Sequence, residues 1–270
     1  MLANLAMKMT LALAIAAPGN LVDPKQDPDV QPHIARGYFQ QTETAKPASS
    51  ITKERTQKIA QDFLQQFSPL LKEKGLNFAV IVDWDNDWFS AHARFDEKSS
   101  SAVLWGGFLR APGMTEIIIA TTLCHELGHL IAGPPLQTIS ATDNFSTEGQ
   151  SDFYAGQCLA EFAGKHPEYF RQISFEVRSF CGNNKECGVA LEGGLQTVRF
   201  MQKWGFEIYK PVSLKERSTP AKKFIANTYP DNQCRLDSFI QRAQCLKNRS
   251  EECLPPPCWW PMVMRYPPTQ

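Results

Sequence analysis

The chain has 270 residues, enough for one sizeable domain or two small ones, and its 28 basic and 28 acidic side chains cancel to a formal net charge of zero. A pI near 6.9 and the lack of a long block of either sign argue against nucleic acid or an anionic membrane surface as the main partner. Hydrophobic residues at 43% suffice for a globular core, and eight cysteines, an even number, fit an oxidising compartment better than the cytosol.

The N-terminus agrees with that compartment. Lys8 precedes a short apolar run, Met9 to Ala17, and Ala14-Ile15-Ala16 is a small-x-small cleavage pattern, so residues 1–16 read as a signal peptide. A bilayer span needs about 20 apolar residues, so no stable membrane span is expected. No cysteine follows the run to carry a lipid anchor. An ordinary buried helix is the other reading of the segment. Residues 17–50 are rich in Pro, Gln, Asp, Ser and Thr and read as a flexible leader, which leaves 51–270 as the folded domain.

From Thr52 to Lys74 the apolar residues Ile59, Phe63, Leu64, Phe67, Leu70 and Leu71 recur at helical steps, with Gly75 as the stop and Pro69 as a kink or restart. Phe78 to Val82 reads as a short buried strand, Asp83 to Asp87 as a turn, and Trp88 to Arg94 as a second strand. A third strand is expected over Ala102 to Leu109, interrupted by Gly106-Gly107. Such a pair marks either a bulge or a close approach of another backbone. Thr115 is a suitable N-cap for a helix over Ile117 to Ala132, which Gly133 and Pro134-Pro135 stop. After a loop over Leu136 to Thr147, a helix is expected from about Glu148 to Gly164 and another from Glu186 to Trp204. In the last, Leu191, Leu195, Val198 and Met201 share a face, and Gly193-Gly194 hints at close helix packing. Beyond Lys210 the tail reads as loop-rich. Three strands followed by helices favour an α+β fold with a small antiparallel sheet.

Histidine is scarce, five in the chain, yet His125 and His129 stand four apart in Cys124-His125-Glu126-Leu127-Gly128-His129. On a helix both imidazoles leave from one face and can grip a single metal ion, with Glu126 beside them. Zinc suits imidazole and lowers the pKa of a bound water to about 7, within reach of a carboxylate base. A catalytic zinc site needs a third protein ligand. Glu148 and Asp152, again four apart, share a helical face. One can reach the metal and the other can accept the free imidazole N–H, and spacing alone leaves their order open. His33, His92 and His166 fall outside any ligand spacing.

The HExxH of His125 to His129, a loop of this length and the ExxxD of Glu148 to Asp152 together resemble the thermolysin-like gluzincin metallopeptidases. That resemblance implies one zinc ion held by His125, His129 and Glu148. It makes Asp152 the partner of His125, Glu126 the general base, and the fold a zincin-like helical core. Tyr229-Pro230-Asp231-Asn232-Gln233-Cys234-Arg235 resembles the HPxxxxR segment of the family of the CAAX prenyl endopeptidase. There the His and Arg help to hold the tetrahedral intermediate. Arg235 matches, while Tyr229 replaces the histidine and offers a hydroxyl donor instead. Trp105 to Arg110, Cys124 to Gly133, Glu148 to Ala155 with Cys158, Gln233 to Asp237 and Cys258-Trp259 are similar to secreted bacterial relatives of that family, a likeness spanning roughly 75–260. The resemblance implies a secreted or periplasmic metallopeptidase acting on a peptide or protein substrate, with Trp105, Gly106 and Gly107 on a strand that an extended peptide could join. The competing reading is a zincin-like protein that binds peptides or a partner without cleaving them.

Cys124 and Cys158 flank the site residues on two helices, where a bridge would clamp them; a thiolate acting on zinc is the other possibility. Cys181 and Cys187 can close a short loop. Cys234, Cys245, Cys253 and Cys258 suggest two further bridges of open pairing, since they lack the CxxC pairs of a second zinc site.

Overall fold

The computed structural model describes residues 49–95, 100–138, 145–204 and 210–261. The expected signal peptide, the leader up to residue 48 and His33 lie outside the described residues. Helix α1 (Lys53–Glu73) starts where Thr52 accepts the Arg55 N–H at 3.1 Å and continues past Pro69 to a left-handed Gly75. Its Ile59, Phe63, Phe67 and Leu71 are buried, and the Phe63 and Phe67 rings pack on Phe162.

Strands β1 (Phe78–Asp83), β2 (Ala91–Phe95) and β3 (Ser100–Trp105) form a sheet in the order β1-β3-β2. β1 runs parallel to β3 and β2 antiparallel to it, so the sheet is mixed rather than antiparallel throughout. The reason lies in β3. Its Ala102, Val103, Leu104 and Trp105 are all buried, and a strand covered on both faces belongs at the sheet's centre. The strand expected to reach Leu109 ends at Trp105, and Gly106–Leu109 forms a short helix, α2. The glycine pair marks close approach rather than a bulge. A Cβ on Gly106 would overlap the Trp84 carbonyl, and one on Gly107 the Asp87 carbonyl, because the turn after β1 lies directly across them.

Five further helices and one 3-10 turn follow. α3 (Glu116–Ile131) begins at Thr115, which accepts the Ile118 N–H at 3.3 Å, and ends before Gly133, whose φ is +76°. α4 (Glu148–Lys165) leads through the turn Pro167–Phe170 to α5 (Phe175–Cys181), α6 (Lys185–Lys203) and α7 (Asn232–Asn248). The sequence reading missed α5 and α7. α7 lies inside the stretch expected to be loop-rich; its Leu236, Phe239, Ile240 and Ala243 are buried at helical spacing, but so are Arg235, Asp237 and Ser238, which breaks the apolar signal. α3 packs on α4 and α6, α4 on α6 and α7, and α6 on α7. No helix among the described residues is long and apolar enough to cross a membrane.

Four disulfides staple the bundle. Cys124–Cys158 joins α3 to α4 and Cys181–Cys187 closes a short loop, both as expected; the open pairing resolves as Cys234–Cys258 and Cys245–Cys253. α6 reaches its neighbours through Gly193 and Gly194, where a Cβ would press on Leu159 and Thr121 or overlap the Phe239 ring. Gly194→Ala is therefore expected to destabilise the fold by about 1–3 kcal/mol through overpacking. Gly188→Ala, on the same helix with nothing nearer than 3.9 Å, should be neutral or stabilising by roughly 0.5–1 kcal/mol. Urea unfolding midpoints check both.

Candidate metal centre

Residues Ile117 to His129 of α3 are buried on every side, which fixes the two histidines in a rigid element. Gly128 lets α4 approach, since a Cβ there would lie 2.9 Å from the Ser151 Cα. Cys124–Cys158 ties the same two helices one residue before His125. α4 opens at Thr147, which accepts the Gln150 N–H at 3.4 Å, and so its first residue, Glu148, faces the histidines.

The three side chains converge. His125 Nε2 lies 3.1 Å from His129 Nε2 and 3.1 Å from Glu148 Oε2, and His129 Nε2 lies 3.5 Å from the same oxygen. The remaining imidazole nitrogens are engaged behind the site. His125 Nδ1–H donates to Asp152 Oδ1 at 2.8 Å, and His129 Nδ1–H donates to the Ser146 carbonyl at 2.9 Å, with Ser151 Oγ 3.0 Å away. Both Nε2 atoms are thereby directed at one point. A zinc ion with ligand distances of about 2.0–2.2 Å needs such atoms roughly 3.3 Å apart. The two-nitrogen, one-carboxylate donor set therefore fits a divalent metal, with ligand atoms all within 4.8 Å of one another.

Asp152 is held from its other side by α7. Arg235 donates Nε to Oδ2 at 2.8 Å and Nη2 to Oδ1 at 3.0 Å, a bidentate pair buried at both ends. α7 is set for this by Asp231, which accepts the Cys234 N–H at 2.8 Å, and by the Cys234–Cys258 bridge. The Tyr229 ring stacks on the guanidinium at 4.8 Å. Arg235, expected to face a reaction intermediate, thus spends two of its donor nitrogens on Asp152.

The electrostatics separate these groups. Burial disfavours charge on His125, but Asp152 and Glu148 outweigh it and push its pKa up to about 10. Burial is likewise overcome by Glu148 at His129, which is raised. Burial would lift Glu148, yet the two histidines hold its carboxyl well below the usual range. At Asp152, Arg235 and His125 overcome burial and lower it. Glu126 goes the other way: burial raises it, only partly offset by His125, His129 and the Ala93 backbone. Loss of water and the Glu148 carboxylate raise the Tyr229 phenol well above its ordinary value, although over a third of the residue is exposed.

The strand expected to receive substrate is not available. Trp105, Gly106 and Gly107 are buried, and β3 is paired along both edges. His92 instead packs its ring 4.6 Å from Trp105 and accepts Arg94 Nε at 2.7 Å. The antiparallel edge beside α3 belongs to β2. Trp105 N–H donates to the Ser90 carbonyl, so by alternation the backbone groups of Ala91 and Ala93 point away from β3, and Ala93 N–H reaches Glu126. Sequence reasoning missed Ala93, Ser146 and Ser151; the Ser146-Thr147 pair just before a helix was the available sign of a tight entry. His166 lies 3.7 Å from Asp62 and 3.6 Å from Glu168. Asp62, however, is already taken by Lys58 and by the Tyr169 hydroxyl at 2.5 Å.

Comparison with protein-family models, curated proteins and solved structures finds no match to this chain.

Two outcomes follow from the geometry. In the metal-free protein the Asp152 and Glu148 carboxylates favour the protonated form of His125, and a metal must displace that proton. Affinity should rise with pH and roughly one proton should be released per metal bound, read by titration calorimetry in buffers of different ionisation enthalpy; proton-independent uptake would overturn the ligand assignment. Arg235→Met leaves Asp152 buried without its cation and is expected to cost about 3–5 kcal/mol in chelator-treated protein. Adding Asp152→Asn should recover much of that loss in urea unfolding.

Proposed function

We propose that this chain is a zinc-dependent metallopeptidase of gluzincin type that hydrolyses peptide bonds. The observation that carries this reading is the convergence of His125, His129 and Glu148 with a buried Glu126 at their side. Zinc held there would supply Lewis acidity and a water acidified to near neutrality.

The chain's own groups supply the rest. The outer edge of β2, where Glu126 holds the Ala93 N–H, offers the backbone of Ala91 and the Ala93 carbonyl to an extended peptide, whose scissile bond would then lie over α3. Glu126, whose pKa is raised by burial, takes a proton from the attacking water and passes it to the leaving amine. Tyr229 keeps its proton at neutral pH and can donate to the negative charge that develops on the carbonyl oxygen. Arg235 acts behind the metal centre, keeping Asp152 ionised and His125 oriented.

The four disulfides and the N-terminal apolar run support placement outside the cytosol, as a secreted or periplasmic protein acting on peptide or protein substrates. A second reading, peptide binding without hydrolysis, is favoured by one observation: tyrosine stands at position 229 where the resembled family has histidine.

Purified protein should bind one zinc ion and cleave members of a broad peptide library. Glu126→Gln should retain the zinc while activity falls by roughly 100- to 10,000-fold, the usual scale of a general base. A wild type that binds zinc but cleaves nothing would favour the second reading. A wild type without stoichiometric zinc would sink the peptidase reading.

A further inference from the structure

Behind Glu148 lies a side chain that the chemistry above does not use. Trp259 is completely buried, and its indole rests on Gly149, the residue after Glu148, so closely that a Cβ there would overlap the ring. The indole Nε1–H donates to Ser238 Oγ at 3.1 Å, on α7 three residues past Arg235. Its carbonyl accepts the Ile225 N–H at 3.0 Å. Cys258, immediately before it, is bridged to Cys234, immediately before Arg235. Trp259 thus touches the start of α4 with its ring and is tied to α7 by that hydrogen bond and, through Cys258, by a disulfide.

We propose that Trp259 is a positioning residue for the metal centre, fixing the first turn of α4, and Glu148 with it, against α7. The proposal rests on reading His125, His129 and Glu148 as the metal ligands. Those ligands are not equally secure. Both histidines are buried and each is held from behind, His125 through Nδ1 on Asp152 and His129 through Nδ1 on the Ser146 carbonyl, whereas Glu148 is the first residue of its helix. Helix ends fray, and the Thr147 cap holds only one of the free N–H groups of that turn. A flat, rigid ring pressed on the Gly149 backbone removes the outward path that fraying would take. Glycine at 149 is required for that contact, since any side chain would push the ring away.

The test uses the full oxidised chain with Trp259→Phe, Trp259→Leu and Gly149→Ala. Zinc affinity is measured by chelator competition, the ligand geometry by the visible absorption of the cobalt-substituted protein, and folding by thermal unfolding with and without zinc. Trp259→Leu and Gly149→Ala should weaken zinc by about 10- to 100-fold, the scale expected for groups that orient ligands. Both should shift the cobalt bands and shrink the zinc-induced rise in Tm. Trp259→Phe, which keeps a ring on Gly149, should restore most of the affinity. Should Trp259→Leu fail to fold, Gly149→Ala decides alone. Unchanged zinc affinity and cobalt bands in the folded variants, beside a wild type that binds zinc, would overturn the positioning role. Equal loss of stability with and without zinc would do the same. A wild type that binds no zinc removes the metal-site reading and this proposal together.

Discussion

Asp152 is a carboxylate withdrawn from water, and the way its charge is met determines how α3, α4 and α7 come together. An isolated buried carboxylate would cost several kcal/mol or give up its charge. Here Oδ1 accepts from His125 Nδ1 and Arg235 Nη2, and Oδ2 accepts from Arg235 Nε. Each donor comes from a different helix than the acceptor. The three helices must therefore meet at one point and in one rotation, or a charge is left unpaired. Buried ion pairs add little to stability against an apolar replacement but penalise wrong arrangements heavily. Asp152 is best understood as specifying geometry: it sets the tautomer and direction of His125, and through that where a metal can sit.

Covalent links and close contacts reinforce the same meeting point. Cys124 precedes His125 and Cys234 precedes Arg235, so two of the four bridges are anchored one residue from the groups that hold Asp152. Gly128 lets α3 and α4 touch between the two histidines and Glu148, and Gly194 lets α6 support α7 from behind. A single methyl group at either place would separate elements whose side chains must meet within hydrogen-bond distance. The sheet packs on α3 through β2 and β3 and brings Ala93, on the outer side of antiparallel β2, to Glu126.

Much of this was legible in the residues. The spacing of His125 and His129, the second pair Glu148 and Asp152, and the caps at Thr115 and Gly133 each carry a local physical signal, and the structure has the helices and the convergence they imply. What was not legible depends on partners distant in the chain. Nothing local in Ala102 to Trp105 states that β3 will be central, so the exposed edge was assigned to the wrong strand. α7 was hidden because Arg235, Asp237 and Ser238 are buried where an amphipathic pattern would place apolar residues, and their partners Asp152, Ser218 and Trp259 lie far away in sequence. The polar residues that erased the helix signal include the one that completes the Asp152 network.

Two glutamates at one centre illustrate how position sets the ionisation of like side chains. Glu148 and Glu126 are both buried, and burial pushes both carboxyls towards the neutral form. Glu148 lies 3.1 Å and 3.5 Å from the two imidazole nitrogens and is held ionised, which suits an anionic ligand. Glu126 leaves α3 one residue after His125, turned about 100° around the helix, and the imidazoles offset its burial only in part. It is raised where Glu148 is lowered. A carboxyl poised nearer neutrality can both take and return a proton, whereas a strongly ionised one can only bind. The opposite shifts arise from helix rotation and distance to the same pair of histidines, with no difference in side-chain chemistry.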